Sequence, residues 1–181
     1  MTTELICAGF GGQGVLTIGK FIAKAGMKEG KNVSWLPSYG PEMRGGTANV
    51  STVVSDEEIA SPIVSFPDVL VALNQPSIDK FAPSIRPGGI LILNTNMCPH
   101  GCKRDDIVQI AAPLVDIAKE IGDPMVLNML AIGVLIGKTG LIKYETMEED
   151  LTSYMKSRNP ELLKLNLEAI KRGIDIAKNA K

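Results

Sequence analysis

Apolar positions change period along this chain, and the changes mark its elements. Glu4 to Ala8 is a short apolar run that reads as a strand, and it ends in Gly9-Phe10-Gly11-Gly12-Gln13-Gly14. From Val15 to Lys28 the spacing is helical, with Val15, Ile18, Ile22, Ala25 and Met27 assigned to one face and Gly30 closing the helix. Asn32 to Leu36 reads as a second strand, Pro37 to Thr47 as a polar loop, and Ala48 to Ser55 as a strand carrying Val50, Val53 and Val54. Buried strands are expected at Asp68 to Leu73, Ile90 to Leu93 and Ile107 to Ala111. A short helix is expected over Pro76 to Phe81, and Arg86-Pro87-Gly88-Gly89 is a turn. The last third is helical: Pro113 to Ile121, Val126 to Lys138, Met147 to Lys156 and Pro160 to Ala180. In the final segment Leu162, Leu165, Leu167, Ile170, Ile174 and Ala177 form the expected apolar stripe. Strands alternating with helices early, then helices alone, predict a three-layer α/β fold with a mostly parallel sheet and a helical C-terminal part. No linker divides residues 1–181, so one domain is expected.

Composition narrows the function classes. The chain is 45% apolar and 22% charged, an ordinary globular balance, with a net charge of −1. Its basic residues are spread out, so neither nucleic acid nor an anionic membrane is an expected partner. Aromatic residues make up only 4%, too few for a base-stacking platform. The apolar stretch Leu127 to Ile136 contains Asn128 and Gly133 and is too short to span a bilayer. Met1 leads almost directly into a strand, without the basic start of a signal peptide. Three cysteines give no disulfide framework, and a reducing cytoplasm is the simplest location.

Two segments carry candidate chemistry. Gly9 to Gly14 fits G-x-G-x-x-G between a strand and a helix. Glycine there permits a tight turn and close approach of a phosphate to the helix N-terminus; a packing turn without ligand is the alternative. A nicotinamide dinucleotide site also wants an acid at the end of the second strand. That strand ends Trp35-Leu36-Pro37-Ser38, so the dehydrogenase reading is demoted. The loop Pro37 to Thr47 gathers Ser38, Tyr39, Glu42, Arg44, Gly45 and Gly46. Arg44 either clamps a phosphate or carboxylate or pairs with Glu42 to brace the loop.

Gly11-Gly12-Gln13-Gly14 followed by Ser38-Tyr39-Gly40-Pro41-Glu42-Met43-Arg44-Gly45-Gly46 resembles the gamma component of 2-oxoacid:ferredoxin oxidoreductases. The resemblance continues through Ser61-Pro62, Asp68, Leu73-Asn74-Gln75-Pro76, Gly88-Gly89, Asn94, Ala118, Glu120-Ile121-Gly122 and Asn128-Met129, nearly the whole chain in order. It implies a Rossmann-like gamma domain, inactive alone, that completes an enzyme decarboxylating a 2-oxoacid to an acyl-coenzyme A with ferredoxin as acceptor. It further implies alpha, beta and delta-type partner subunits that hold thiamine diphosphate, magnesium and iron–sulfur clusters. Coenzyme A is the ligand it associates with this chain, through Gly11, Gly12, Gln13, Gly14, Ser38, Tyr39, Glu42, Arg44, Gly45, Gly46 and Asn128. No catalytic residue and no metal ligand is assigned. The loop form looks most like 2-oxoglutarate members, then branched-chain ones. The alternative is a stand-alone, homodimeric nucleotide- or coenzyme-A-binding module.

Other features have plainer readings. Cys98-Pro99-His100-Gly101-Cys102 brings three soft donors together, but its spacing favours a surface loop over a zinc site. Cys7 reads as a small buried hydrophobe, and Met125 and Met129 as core fillers. Asn128 must find a partner, either loop backbone or ligand. Glu145 to Asp150 reads as a solvated first turn.

Overall fold

The computed structural model describes residues 1–39 and 47–180. Its strands are β1 (Thr2–Phe10), β2 (Asn32–Tyr39), β3 (Thr47–Ser55), β4 (Val69–Ala72), β5 (Ile90–Asn94) and β6 (Val108–Ala112). The helices are α1 (Val15–Lys28), α2 (Gln75–Phe81), α3 (Leu114–Ile121), α4 (Leu127–Thr139), α5 (Tyr144–Met155) and α6 (Pro160–Asn179). The six strands form one sheet in the order β2-β3-β1-β4-β5-β6. β4, β5 and β6 run parallel to β1, while β3 is antiparallel to both of its neighbours, β1 and β2. Five strands therefore share one direction, and β2 and β6 are the edges.

Two of the loop boundaries move. Pro37, Ser38 and Tyr39 continue β2, and Thr47 begins β3, so the expected loop is shorter than Pro37 to Thr47. Proline lacks an N–H for the ladder, and an edge strand is where that is tolerated. Val15, Ile18, Ile22 and Ala25 are buried on α1, but Met27 is exposed. Two residues past Ala25 is about 200° further round a helix, which takes Met27 to the far side.

The sheet has unequal faces. One face packs Leu5, Cys7, Val50, Val54, Val71 and Ile92 against α1, α3, α4, α5 and α6. Most of the core lies there. The other face buries Ile6, Ala8, Leu70, Leu91 and Leu93 under α2 and under loop residues such as Val64, Cys98 and Ile107. That cover thins toward β2. Leu36 pairs with Ser51, which pairs with Ile6, and along this row exposure rises from 4% at Ile6 to 41% at Leu36.

α4 is buried almost all round, and α6 crosses it at backbone contact. A methyl group on Gly133 would lie 2.2 Å from the Ile170 carbonyl oxygen, and one on Gly173 would lie 2.2 Å from the Leu130 carbonyl oxygen. Gly137 similarly faces Ile174 Cα at 2.8 Å. The seam is thus drawn by glycines, and the buried residues of α6 are Leu163, Asn166, Ala169, Ile170, Gly173 and Ala177, which share only Ile170 and Ala177 with the predicted stripe. Leu162, Leu165, Leu167 and Ile174 sit at its border, partly buried.

The reading of Glu145 to Asp150 as solvated is corrected at its end. Asp150 is buried in α5 and pairs with Lys24 at 3.1 Å and Lys28 at 3.0 Å, both on α1. Met125 is also corrected: it is exposed in a turn before α4, whereas Met129 is buried.

Candidate functional site at the carboxyl edge of the sheet

β1 leads through α1 toward β2 on one side of the sheet, and β4 leads through α2 to β5 on the other. The strand order therefore reverses between the carboxyl ends of β1 and β4. Open α/β sheets bind ligands in the crevice at such a switch point. The Gly9–Gly14 turn closes one wall and Leu73-Asn74 the other. Tyr39 at the end of β2 and Thr47 at the start of β3 lie on the same edge, since Thr47 pairs with Phe10 and Tyr39 with Ala48. The loop carrying Glu42, Arg44, Gly45 and Gly46 thus joins two strands at this edge, but those four residues lie outside the described residues.

The turn is braced from inside. Gln13 N–H donates to the Phe10 carbonyl at 3.2 Å, and Gln13 Oε1 accepts from Phe10 N–H at 2.7 Å. Gln13 Nε2 reaches the Leu73 carbonyl at 3.5 Å, across the crevice. Gly14 caps α1 in the left-handed conformation, with no side-chain cap. A methyl group there would strike Asn128 Nδ2 at 2.7 Å, so the first turn of α4 docks against this glycine. Asn128 Oδ1 accepts from Met129 N–H at 2.8 Å. The amide thus bonds within its own helix and packs against the glycine turn. Gly12 is exposed, with φ +95° and nothing near the position of a side chain.

Beyond the turn, the edge is lined by further carboxamides. Asn94 Oδ1 accepts from Leu114 N–H at 3.1 Å, and its Nδ2 donates to the Leu73 carbonyl at 3.4 Å. Asn74 Oδ1 accepts from Ser77 N–H at 3.0 Å, capping α2, while its buried Nδ2 has no partner among the described residues. Asn96 Oδ1 accepts from Val115 N–H at 3.0 Å at the start of α3. Carboxamides donate and accept hydrogen bonds without titrating. Such a set can position a ligand or a neighbouring chain; it does not move protons. Asn74, Asn94 and Asn96 were not among the candidate site residues. Asn74 and Asn94 left a signal: each follows a buried apolar run, where a strand ends at this edge.

The Cys98–Cys102 segment stands beside α2, bordering a cavity of about 410 Å³ lined by Gln75, Asp79, His100 and Arg104. Gln75 fixes it, accepting from His100 N–H at 3.0 Å and donating to the Gly101 carbonyl at 3.1 Å. Cys98 is buried in the core, which corrects the surface-loop reading at that residue, while His100 is exposed and Cys102 half-buried. The three donors therefore do not converge. Burial pushes the Cys98 thiol up to about 11 and the Cys7 thiol higher still. The thiolate is the reactive form. Iodoacetamide at neutral pH is accordingly expected to label Cys102 first, Cys98 slowly, and Cys7 only in unfolded protein, as read by peptide mass spectrometry. Rapid labelling of Cys7 in the native chain would contradict this placement.

The family described as pyruvate ferredoxin/flavodoxin oxidoreductase matches residues 4–176. The chain belongs to that family. It is 42% identical to the ketoisovalerate oxidoreductase subunit VorA of Methanothermobacter marburgensis over 94% of its own length, but spans only 36% of that relative. It is 33% identical to the 2-oxoglutarate synthase subunit KorC of Methanocaldococcus jannaschii, covering 98% of this chain and 95% of that one. Its fold superposes on the gamma subunit of a keto/oxoacid ferredoxin oxidoreductase from Geobacter sulfurreducens with a TM-score of 0.86, 29% identity, and coverage of 100% and 99% of the two chains. It also matches 32% of a chain of the 2-oxoglutarate:ferredoxin oxidoreductase from Magnetococcus marinus, solved with 2-oxoglutarate, coenzyme A and succinyl-CoA bound, at a TM-score of 0.88 and 26% identity over 99% of this chain. The α/β fold and the gamma-type resemblance thus stand. Among the described residues no helix is long and apolar enough to cross a membrane.

Proposed function

We propose that this chain is the gamma subunit of a multi-subunit 2-oxoacid:ferredoxin oxidoreductase, inactive alone, with its carboxyl edge turned toward the path of coenzyme A. The observation that carries the reading is the end-to-end likeness to a separate gamma subunit. The related enzyme with coenzyme A bound, in which a segment like this one is about a third of a longer chain, adds support. Gly12 and the N-terminus of α1, which has no side-chain cap among the described residues, are the groups suited to a phosphate of that ligand, because a helix leaves its first N–H groups without intrahelical partners. Arg44 offers a cation on the adjoining loop, and Glu42 orients it. Ser38, Tyr39, Gly45 and Gly46 flank that pair. Thiamine diphosphate, magnesium and iron–sulfur clusters belong to the alpha, beta and delta-type partners, and ferredoxin meets the complex rather than this chain.

Surface composition supports docking. Leu36 at 41%, Ile63 at 65% and Phe66 at 63% are exposed, and Leu36 lies on the thinly covered side of the sheet. Where such residues form one contiguous patch, they mark a surface that meets another protein. For the substrate, the Gly40–Arg44 segment favours 2-oxoglutarate, while the 42% identity to a ketoisovalerate subunit favours a branched-chain 2-oxoacid.

The test is affinity capture of the tagged chain from anaerobically broken source cells, followed by dye reduction dependent on coenzyme A and on each 2-oxoacid in turn. Co-purification of a thiamine-binding and an iron–sulfur subunit, with activity in the eluate, is expected, and the 2-oxoacid turned over fastest names the substrate. Recovery of the chain alone and inactive, with tight coenzyme A binding by calorimetry, would replace this reading with the stand-alone module.

A further inference from the structure

The geometry points to Gln13 as a positioning residue that latches the exit of β1 to the exit of β4 and so sets where the glycine turn meets its ligand. The inference rests on the reading that this edge faces coenzyme A. Three contacts from one residue carry it. The 2.7 Å bond from Phe10 N–H to Gln13 Oε1 and the 3.2 Å bond from Gln13 N–H to the Phe10 carbonyl close the turn on itself. The Nε2 contact to the Leu73 carbonyl, 3.5 Å, ties the turn to β4. That same carbonyl accepts from Asn94 Nδ2, so one oxygen gathers the exits of β1, β4 and β5.

The latch also explains the glycines. A methyl group on Gly9 would stand 2.6 Å from Gln13 Oε1, so the first glycine of the fingerprint leaves room for a side chain of the turn itself. Gly14 leaves room for Asn128. In a dinucleotide fold the first glycine of this turn permits the bend, the second lets a diphosphate approach the backbone, and the third lets helix and strand pack closely. Here Gly9 and Gly14, the first and third, are packed from within, and among the described residues nothing stands near the side-chain position of Gly12. A ligand therefore meets the tip of the turn, and the tip stands where Gln13 holds it.

The experiment uses the assembled complex carrying Gln13→Met or Gln13→Glu in this chain. Methionine fills the space and loses both side-chain bonds; glutamate keeps an acceptor for Phe10 N–H and loses the long contact to Leu73. One lost hydrogen bond of about 1 kcal/mol corresponds to roughly fivefold in affinity. Gln13→Met is expected to raise the KM for coenzyme A about fivefold, with kcat and the KM for the 2-oxoacid within about twofold of the wild type. Gln13→Glu should recover most of that loss. Unchanged KM in both assembled variants would overturn the positioning role. So would a loss of assembly and kcat with an equal rise of both KM values, which marks a purely structural part. Failure of the wild-type chain to assemble, or a wild-type complex indifferent to coenzyme A, would instead sink the functional reading beneath it.

Discussion

Gly173→Ala is expected to lower stability by about 3 kcal/mol, at the upper end of what overpacking a core costs. The added methyl would sit 2.2 Å from the Leu130 carbonyl oxygen and 2.7 Å from Val134 N. Those are main-chain atoms of α4, which cannot rotate away as a side-chain tip can. α4 is itself wedged between the sheet and α6, so relief requires separating two helices that form most of the C-terminal core. Alanine is the better helix former by about 1 kcal/mol, so propensity alone predicts the opposite sign. For a chain of this size the loss corresponds to a fall of roughly 6–12 °C in Tm. Gly133→Ala, facing Ile170 from the other side of the seam, should do the same. Scanning calorimetry with Gly88→Ala as control decides the point, because Gly88 faces open space and carries only the strain of a positive φ. If all three variants melt within a degree of one another, helix contact at the glycines is not what holds α4 to α6.

This seam also shows which parts of the fold were legible in the sequence. Strands such as Val69–Ala72 and Ile90–Asn94 announce themselves as apolar runs bounded by turn residues, and each was found within two residues of its ends. α4 and α6 were found as helices for the same reason. Their contact was not, because it runs through Gly133, Gly137 and Gly173, which add nothing to an apolar stripe yet lie deepest in the interface. Met125 and Met27 went astray in the converse way: each is apolar by type and exposed by position.

The candidate site divides along the same line. A strand, a glycine turn and a helix are local, so the place of Gly11, Gly12 and Gly14 was readable. The roles of their neighbours depend on residues distant in the chain. Gln13 meets Leu73, 60 positions away, and Gly14 meets Asn128, more distant still. Asn94 joins β4 to α3 by two bonds that no short window contains. The missing strand-end acid weakens a dinucleotide site, whereas the close packing at Gly9 and Gly14 is what a tight turn and a docked helix need with or without one.

Replacing Lys24 and Lys28 together by methionine is expected to cost about 3–5 kcal/mol, whereas Asp150→Leu should cost about 1 kcal/mol or less. The asymmetry follows from where each charge sits. The Asp150 side chain is 1% exposed, and both lysines reach its Oδ1, while its Oδ2 is buried without a partner among the described residues. The lysines are 46% and 36% exposed. Remove the carboxylate, and two ammonium groups swing into water with little penalty; a leucine then fills a similar volume between α5 and α1. Remove the ammonium groups, and a carboxylate stays in the core with nothing to offset its lost hydration. Methionine keeps the unbranched stem, including that of Lys24 near the Tyr154 ring, so lost packing does not mimic the effect. Urea unfolding of the three proteins at neutral pH measures the difference as midpoints at constant slope. Equal losses would mean that the pair acts through mutual attraction alone. A larger loss in the leucine variant would mean that Asp150 is a net source of stability, against the desolvation argument made for it.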